Sequence, residues 1–178
     1  PLFDSKPLPV NNEGKPIVLY APTFSPSLTS APELVDEIKR LSNTGKWHWL
    51  VKFHPKMAPE LIAQFSAIAS THLEIVNVNE ISALLQTADV IVSDTSSIIT
   101  EFLILNKPAV TYKNAQPEPV LIDITEPQAL ESAIEQALVP TSERLKLIEA
   151  YTQTIHPYQD GRSANRILEA VDERIDQG

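Results

Sequence analysis

The chain has 178 residues, of which 43% are hydrophobic and 21% charged, a composition typical of one globular domain rather than of a disordered chain. It contains no cysteine, which excludes disulfides and thiolate metal sites and suits a reducing compartment such as the cytoplasm. The net charge of −9 disfavours a protein that holds nucleic acid through its overall field, so we expect no nucleic-acid partner.

Four prolines lie in the first 16 residues and predict an extended start, so we assign residues 1–15 to a linker and residues 16–178 to a single domain. After the linker, short apolar runs alternate with amphipathic stretches. The predicted strands are KPIVLYAP, WHWLVKFHP, LEIVNV, DVIVSD, KPAVTYK and VLIDI. The predicted helices are APELVDEIKRLSN, with Ser30 as a candidate cap, APELIAQFSAIAS, EISALLQTA, TSSIITEFLILN, EPQALESAIEQALV, TSERLKLIEAYTQTI and GRSANRILEAVDERIDQ.

Most of these strands are apolar throughout instead of alternating, which indicates a parallel sheet covered by helices on both faces. Right-handed crossovers then predict an α/β, doubly wound, Rossmann-like domain. Ligands of such sheets bind beyond the carboxyl ends of the strands. The polar residues that follow the first four predicted strands are Thr23, His54, Asn77, Asn79 and the turn Asp94–Ser97.

The turn Asp94–Ser97 is a candidate phosphate site, because the unpaired N–H groups at the start of a helix favour an anion. Small hydroxyl side chains let a phosphate approach the backbone and add donors of their own. The alternative interpretation is that Thr95 or Ser96 only caps the helix.

Glu101 follows Ser97 by four residues and should project from nearly the same side of the helix. Its neighbours are apolar, so we expect it to be buried and to need a partner, for which a ribose diol is one candidate. A place on a solvent-exposed stripe, or an ion pair with Lys107, is the alternative.

Two further segments are candidates for anion binding. His54 stands between Lys52 and Lys56 and is fixed by a following proline, so it can donate to phosphate oxygens or move a proton, although a structural role is the alternative. The turn from Asp160 through Gly161 and Arg162 to Ser163 offers N–H and guanidinium donors, and plain helix initiation is its alternative.

The sequence lacks the motifs of metal sites, dinucleotide-binding sites and serine hydrolases. No pair of histidines or carboxylates has metal-ligand spacing, so we predict no metal and no cofactor. The glycine-rich dinucleotide fingerprint is absent, and so is the G-x-S-x-G elbow of serine hydrolases.

Four segments in order, VLYAPTF, VKFHPK, ADVIVSDTSSIITEFLILNKPAVTY and YQDGRSANRI, resemble the C-terminal domain of the CDP-glycerol glycerophosphotransferase family, the teichoic acid primases and polymerases. The resemblance runs from about Ile17 to the last helix, and its third segment is the most specific. It implies the C-terminal half of a GT-B fold and transfer of a polyol phosphate from a CDP-activated donor to a cell-surface polymer.

The resemblance also implies roles for individual residues and partners. His54 looks like the catalytic histidine that faces the donor phosphates, Ser96 and Ser97 like phosphate ligands, and Glu101 like the ribose ligand. Thr23 and the turn formed by Asp160, Gly161, Arg162 and Ser163 look like further parts of the donor site. The acceptor half would lie in an N-terminal domain outside this chain, so the isolated domain should bind donor without turnover. The full-length protein would be cytoplasmic, at the inner face of the membrane.

The chain departs from the family pattern at three places. Thr95 stands where an aromatic residue is usual, Phe24 and Ser25 follow the Ala-Pro-Thr segment where a basic or longer polar residue is common, and NAQPEPVLIDI lacks the usual tyrosine- and glycine-containing loop. Two alternatives therefore stay open. One is a UDP- or CMP-linked nucleotide-sugar transferase or 2-epimerase-like domain, and the other is a noncatalytic domain of the same fold.

Overall fold

A computed structural model describes residues 5–158 and 160–175 of the chain and shows a six-stranded, all-parallel sheet in the order β3-β2-β1-β4-β5-β6. The strands are β1 Ile17–Tyr20, β2 His48–Val51, β3 Leu73–Ile75, β4 Val90–Ser93, β5 Ala109–Tyr112 and β6 Ile122–Ile124. The helices are α1 Ala31–Ser42, α2 Pro59–Ala67, α3 Ile81–Thr87, α4 Ile98–Ile104, α5 Leu130–Leu138, α6 Ser142–Ile155 and α7 Ser163–Ile175. The predicted doubly wound α/β fold is confirmed.

Burial explains why the strands are apolar throughout. Every residue of β1, β2, β4 and β5 is buried, because helices cover both faces of the sheet, whereas the edge strands β3 and β6 are partly exposed. Val18 and Tyr20 point into a core shared with α1, α2 and α5. Leu19 and Ile91 point into the opposite core with α3, α4 and α6. Successive strand residues therefore belong to different cores.

The order in which strands are added to the sheet reverses between β1 and β4, which are parallel neighbours although five helices and strands separate them along the chain. Ala21 N–H donates to the carbonyl of Val92 at 3.0 Å, and the buried hydroxyl of Ser93 donates to the carbonyl of Ala21 at 2.6 Å. These bonds hold the carboxyl ends of the two strands together. In doubly wound sheets this switch point is where ligands bind.

The described part of the predicted linker, residues 5–15, contains neither helix nor strand. It lies along the domain: the side chains of Leu8 and Val10 pack against the core on the α3 and α4 side, and Leu8 N–H donates to Thr87 Oγ1 at 2.7 Å. The domain boundary at residue 15 stays a prediction. In the described parts of the chain, no helix has both the length and the apolarity that crossing a bilayer requires.

Ser30 occupies the predicted N-cap position of α1, but the expected cap by its side chain is absent. Instead Ser30 Oγ donates to Asp94 Oδ2 at 2.9 Å and also contacts the hydroxyl of Tyr20 at 2.8 Å. The bond to the buried carboxylate of Asp94 is charge-assisted, and it directs the Ser30 hydroxyl to Asp94.

Candidate functional site

The carboxyl ends of β1, β2, β3 and β4 surround a cavity of about 320 Å³, here called the first cavity. Its charged and hydroxyl-bearing lining residues are Lys52, His54, Ser96, Ser97 and Glu101. Its remaining lining residues, which are apolar apart from the amide Asn79, are Ala21, Pro22, Phe53, Pro55, Val78, Asn79, Ile81 and Ile98. Polar residues that follow β2, β3 and β4 thus meet at one rim, namely His54, Asn79, Ser96 and Ser97, with Glu101 of α4 beside them.

His54 is held in a defined orientation. Its ring stacks on Phe24, with centroids 4.4 Å apart and an interplanar angle of 27°. Its Nδ1 accepts the N–H of Lys56 at 3.1 Å, so a neutral His54 carries its proton on Nε2. The ring can therefore donate a hydrogen bond from Nε2 to an anion in the cavity. Phe24, one of the departures from the family pattern, thus supports the candidate catalytic residue.

The turn before α4 exposes donors to the cavity. The backbone N–H groups of Ser96 and Ser97 make no hydrogen bond within the described residues, and Ile98 N–H has only a long contact of 3.5 Å to Ser96 Oγ. Neither serine side chain caps α4 in the usual way, since no cap bond from Ser97 is present. Together the two serines can offer hydroxyl and N–H donors to a ligand.

The expectation that Glu101 is buried is wrong, although its predicted position beside Ser97 is correct. The side chain is exposed and lines the open cavity, so the apolar neighbours do not enclose it, in agreement with the alternative of a solvent-exposed position. The alternative ion pair with Lys107 is also wrong. Lys107 Nζ donates to three backbone carbonyl oxygens at the carboxyl end of α3, at 2.7–3.0 Å. Cations are favoured there by the helix dipole.

Asp94 holds together the loops that border the first cavity. It is fully buried, and its carboxylate accepts the N–H groups of Thr23, Ser30 and Thr95 at 2.7–2.9 Å in addition to the Ser30 hydroxyl. Its own carbonyl accepts Asn114 Nδ2 at 2.6 Å. One carboxylate therefore ties the loop after β1 to the turn after β4, with the loop after β5 attached through its carbonyl. The sequence suggested a functional turn at this position but not this structural role.

Five predicted site residues are not among those that line the first cavity. Thr23 is half-buried, and its N–H donates to Asp94 and is therefore not available to a ligand. Asp160, Gly161, Arg162 and Ser163 lie at the exposed start of α7. The roles of all five stay predictions.

The turn before α7 has its own internal bonds. Arg166 forms a two-pronged ion pair with Asp160, at 2.6 and 2.9 Å, and Arg162 N–H donates to the same carboxylate at 3.1 Å. These contacts, the Arg166 bonds above all, hold the pKa of Asp160 well below its usual range. Asp160 therefore stays ionised and anchors the start of α7, and the guanidinium of Arg162 is exposed.

Sequence patterns indicate only weakly that two kinds of residue, a lysine and an apolar pair, line the first cavity. Lys52 was noted only as a neighbour of His54, yet it lines the same cavity. Val78 and Ile81 form a half-buried apolar wall beyond β3, and an apolar side chain after a strand does not by itself indicate a ligand site. The described residues contain no group of three or more histidine, aspartate or glutamate side chains arranged to hold a metal.

A parallel α/β domain with a polar cavity at its switch point is the class of protein that this fold and site define. Residues 5–173 match the model of the family described as CDP-Glycerol:Poly(glycerophosphate) glycerophosphotransferase. The chain belongs to this family.

Individual relatives agree with that assignment. The chain is 28% identical over 93% of its length to the teichoic acid glycerol-phosphate primase of Bacillus subtilis, and it spans 46% of that relative. A solved structure of a variant of the wall teichoic acid polymerase TagF, soaked with CDPG, has a TM-score of 0.66, with 18% identity over 96% of this chain and 43% of that one. The Staphylococcus aureus MnaA–UDP co-structure has a TM-score of 0.68, with 18% identity over 95% of this chain and 50% of that one. The chain therefore spans about half the length of the relatives it matches, and the two solved structures establish the GT-B-like fold.

Proposed function

We propose that this domain binds the CDP-activated donor of a glycerophosphotransferase in the first cavity. The observation that carries the proposal is the meeting of Lys52, His54, Ser96, Ser97 and Glu101 in one cavity at the switch point of the sheet. Cations and hydroxyl donors beside a free carboxylate match the phosphates and the ribose of a nucleotide. Membership of the family supports CDP-glycerol as the donor.

The phosphate end of the cavity is the side formed by Lys52, His54 and the two serines. Lys52 supplies a positive charge, His54 donates from Nε2, and the serines add hydroxyl and backbone N–H donors. Such donors stabilise negative charge best when they are already oriented before the ligand arrives. The stacking of Phe24 on His54 provides that orientation.

Glu101 is proposed to bind the ribose. Its carboxylate makes no hydrogen bond to the described residues, so both oxygens are available to accept from the two vicinal hydroxyl groups. The base would then lie against the apolar wall of Val78 and Ile81, with the amide of Asn79 beside it. This arrangement orders the ligand as phosphates, ribose and base from α4 towards α3.

The reaction proposed for the full-length protein is transfer of glycerol phosphate. An acceptor hydroxyl attacks the phosphorus that carries glycerol, and the bond from this phosphorus to the bridging oxygen breaks, so that CMP leaves with that oxygen. His54 and the serines stabilise the charge that develops on the departing phosphate. The acceptor site and the base that takes the acceptor proton are assigned to sequence outside this chain, so this domain alone should bind without turnover.

Several further expectations remain part of the proposal. Thr23 and the turn Asp160–Ser163 are assigned to the outer side of the donor site, where Arg162 can reach a phosphate. Residues 16–178 are proposed as the donor-binding unit, with residues 1–15 assigned to a linker. The location is proposed to be the cytoplasm, with attachment to the inner face of the membrane through other parts of the protein.

The test is calorimetric titration of the domain with CDP-glycerol, CMP and a UDP-sugar. We expect CDP-glycerol to bind, and Glu101→Gln to weaken CDP-glycerol and CMP by about tenfold, equivalent to about 1.4 kcal/mol. The melting temperature should not change, because the exposed carboxylate holds no protein group. Glu60→Gln, on the exposed first turn of α2, is the matched control.

The other outcomes separate the alternatives. Binding of a UDP-sugar in preference to CDP-glycerol would support a nucleotide-sugar enzyme of the same fold. No nucleotide binding at millimolar concentration would defeat the proposal and favour a noncatalytic domain.

A further inference from the structure

A second cavity, of about 420 Å³, lies beside the start of α4. It is formed by α4, the loop of residues 114–121 after β5 and Tyr151 of α6. Ser96 and Ser97 line this second cavity as well as the first. Its volume is within the range of roughly 300–1,000 Å³ found for small-molecule sites.

The two cavities differ in chemistry. The polar side chains around the second cavity carry hydroxyl groups, amides and a single carboxylate, that of Glu118. The other residues that line it are apolar: Ile99, Leu103, Ala115, Val120 and Leu121. Among the described residues that line it there is no lysine, arginine or histidine, whereas Lys52 and His54 line the first cavity. Neutral donors and acceptors with one carboxylate suit the hydroxyl groups of a polyol and disfavour a phosphate.

The loop that forms the outer wall is fixed by its backbone. Ala115 N–H donates to Thr95 Oγ1 at 3.0 Å, and Gln116 N–H donates to Asn114 Oδ1 at 2.9 Å. Further along, Arg144 Nη1 donates to two carbonyl oxygens of the loop at 2.8 and 3.0 Å. The wall is therefore pre-organised, which lowers the entropy lost when a ligand binds.

The side chains of Gln116 and Glu118 are not used for this fixation. Both are exposed, and neither side chain makes a hydrogen bond to the described residues. A carboxamide and a carboxylate on one fixed loop can donate to and accept from neighbouring hydroxyl groups. Tyr151 adds a hydroxyl from the opposite side, 3.3 Å from Thr100 Oγ1.

We propose that the second cavity binds the polyol of the donor, the group that is transferred. The inference rests on the proposed function, because a diphosphate held at Ser96 and Ser97 touches both cavities and leads its polyol into the second. Gln116 and Glu118 are then residues that determine which polyol is accepted. The nucleotide and the transferred group would lie on opposite sides of one turn.

The experiment compares the affinities of CDP-glycerol and CDP for the wild-type domain and for Gln116→Ala, Glu118→Gln and the double variant. We expect the double variant to lose about tenfold in affinity for CDP-glycerol and nothing for CDP. Removing the charge of Glu118 can only favour a diphosphate, so a loss confined to CDP-glycerol reports lost polyol contacts. Tyr151→Phe should give a smaller loss of the same kind, and Gln136→Ala on the exposed side of α5 is the control.

The outcomes distinguish the two proposals. Wild-type protein that binds neither ligand overturns the proposed function and this inference together. Equal losses for both ligands, or no loss for either, overturn the inference while the donor site remains. Glu101→Gln provides the contrast, because it should weaken CDP and CDP-glycerol by the same factor.

Discussion

The two cavities beside α4 differ in their basic side chains although they share Ser96 and Ser97. Each cavity has one carboxylate and at least one amide, but only the first has a lysine and a histidine among the described residues that line it. A ligand with a charged half and a neutral half would therefore bind in one orientation, with its charged half in the first cavity and its neutral half in the second. The two proposals together place the recognition of phosphate and that of a polyol on opposite sides of one short hydroxyl-rich turn.

Both cavities also depend on the hydrogen bonds of one buried residue, Asp94. Asp94 lies beneath both, and its carboxylate and carbonyl fix the turn together with the loops after β1 and β5. Mutations that remove the Asp94 hydrogen bonds should weaken ligand binding in both cavities. Mutations of residues that line one cavity should weaken only the contacts of the ligand group that binds there. The following predictions use this distinction.

Asp94→Ala should have the largest effect. It leaves three buried or half-buried N–H groups and the Ser30 hydroxyl without their acceptor, so we expect the free energy of unfolding to fall by about 3 kcal/mol or more. Urea denaturation measures the change, and CDP and CDP-glycerol should both bind more weakly. Asp36→Ala, on the exposed face of α1, is the control. A fall below about 1 kcal/mol would show that Asp94 is not the common support.

Lys52→Met should weaken only the binding of the phosphate groups of the ligand. Loss of a charge-assisted contact should cost about 2 kcal/mol of binding free energy for CDP and CDP-glycerol alike. The salt dependence of binding should also decrease. Titrations at two ionic strengths check this, with the exposed Lys39→Met as control. A loss confined to CDP-glycerol would reverse the assignment of the two cavities.

Tyr20→Phe is a milder change to the hydrogen bonds around Asp94. The mutation removes the contact with Ser30 and should cost about 1 kcal/mol of stability at neutral pH. Burial first, and the charge of Asp94 to a smaller extent, raise the pKa of the Tyr20 hydroxyl well above its ordinary 10.0. The folded protein therefore holds this proton while the unfolded chain loses it, so stability is intact below pH 10 and falls above it.

The variant should consequently lose less stability than the wild type between neutral pH and about pH 11. Urea melts at a series of pH values measure this difference. Parallel curves for the two proteins would mean that Tyr20 ionises equally in the folded and unfolded states.

Phe24→Ala should have the smallest effect. It removes the ring that stacks on His54, and an aromatic pair contributes about 0.5–1.5 kcal/mol. We expect CDP to bind a few-fold more weakly, and Phe24→Tyr to restore the affinity. Nuclear magnetic resonance of the His54 ring provides an independent reading of its orientation. An unchanged His54 spectrum and affinity would show that the stacking has no role in the site.

The fold and the centre of the site were predictable because they follow from local patterns. Uniformly apolar strands such as residues 17–20 require burial on both faces, and parallel strands bring their following residues to one edge. His54, Ser96 and Ser97 could therefore be grouped without coordinates. Glu101 could be assigned to the right side of α4 for the same reason, from helical periodicity alone.

What could not be predicted depends on contacts between distant segments. The exposure of Glu101 depends on how far the loops after β2 and β3 stand from α4, which no local pattern encodes. Ser30 resembles a cap in sequence, but Asp94, 64 residues away, takes its hydroxyl. The loop of Gln116 and Glu118 looked like an ordinary departure from the family, and its position beside Ser96 is visible only in three dimensions.

A crystal structure of this domain soaked with CDP-glycerol tests the central claim most directly. We predict a diphosphate within hydrogen-bonding distance of Ser96, Ser97 and His54, a ribose on Glu101, and glycerol directed towards Gln116. A ligand bound elsewhere at full occupancy, or one whose diphosphate lies away from the two serines, would contradict the account.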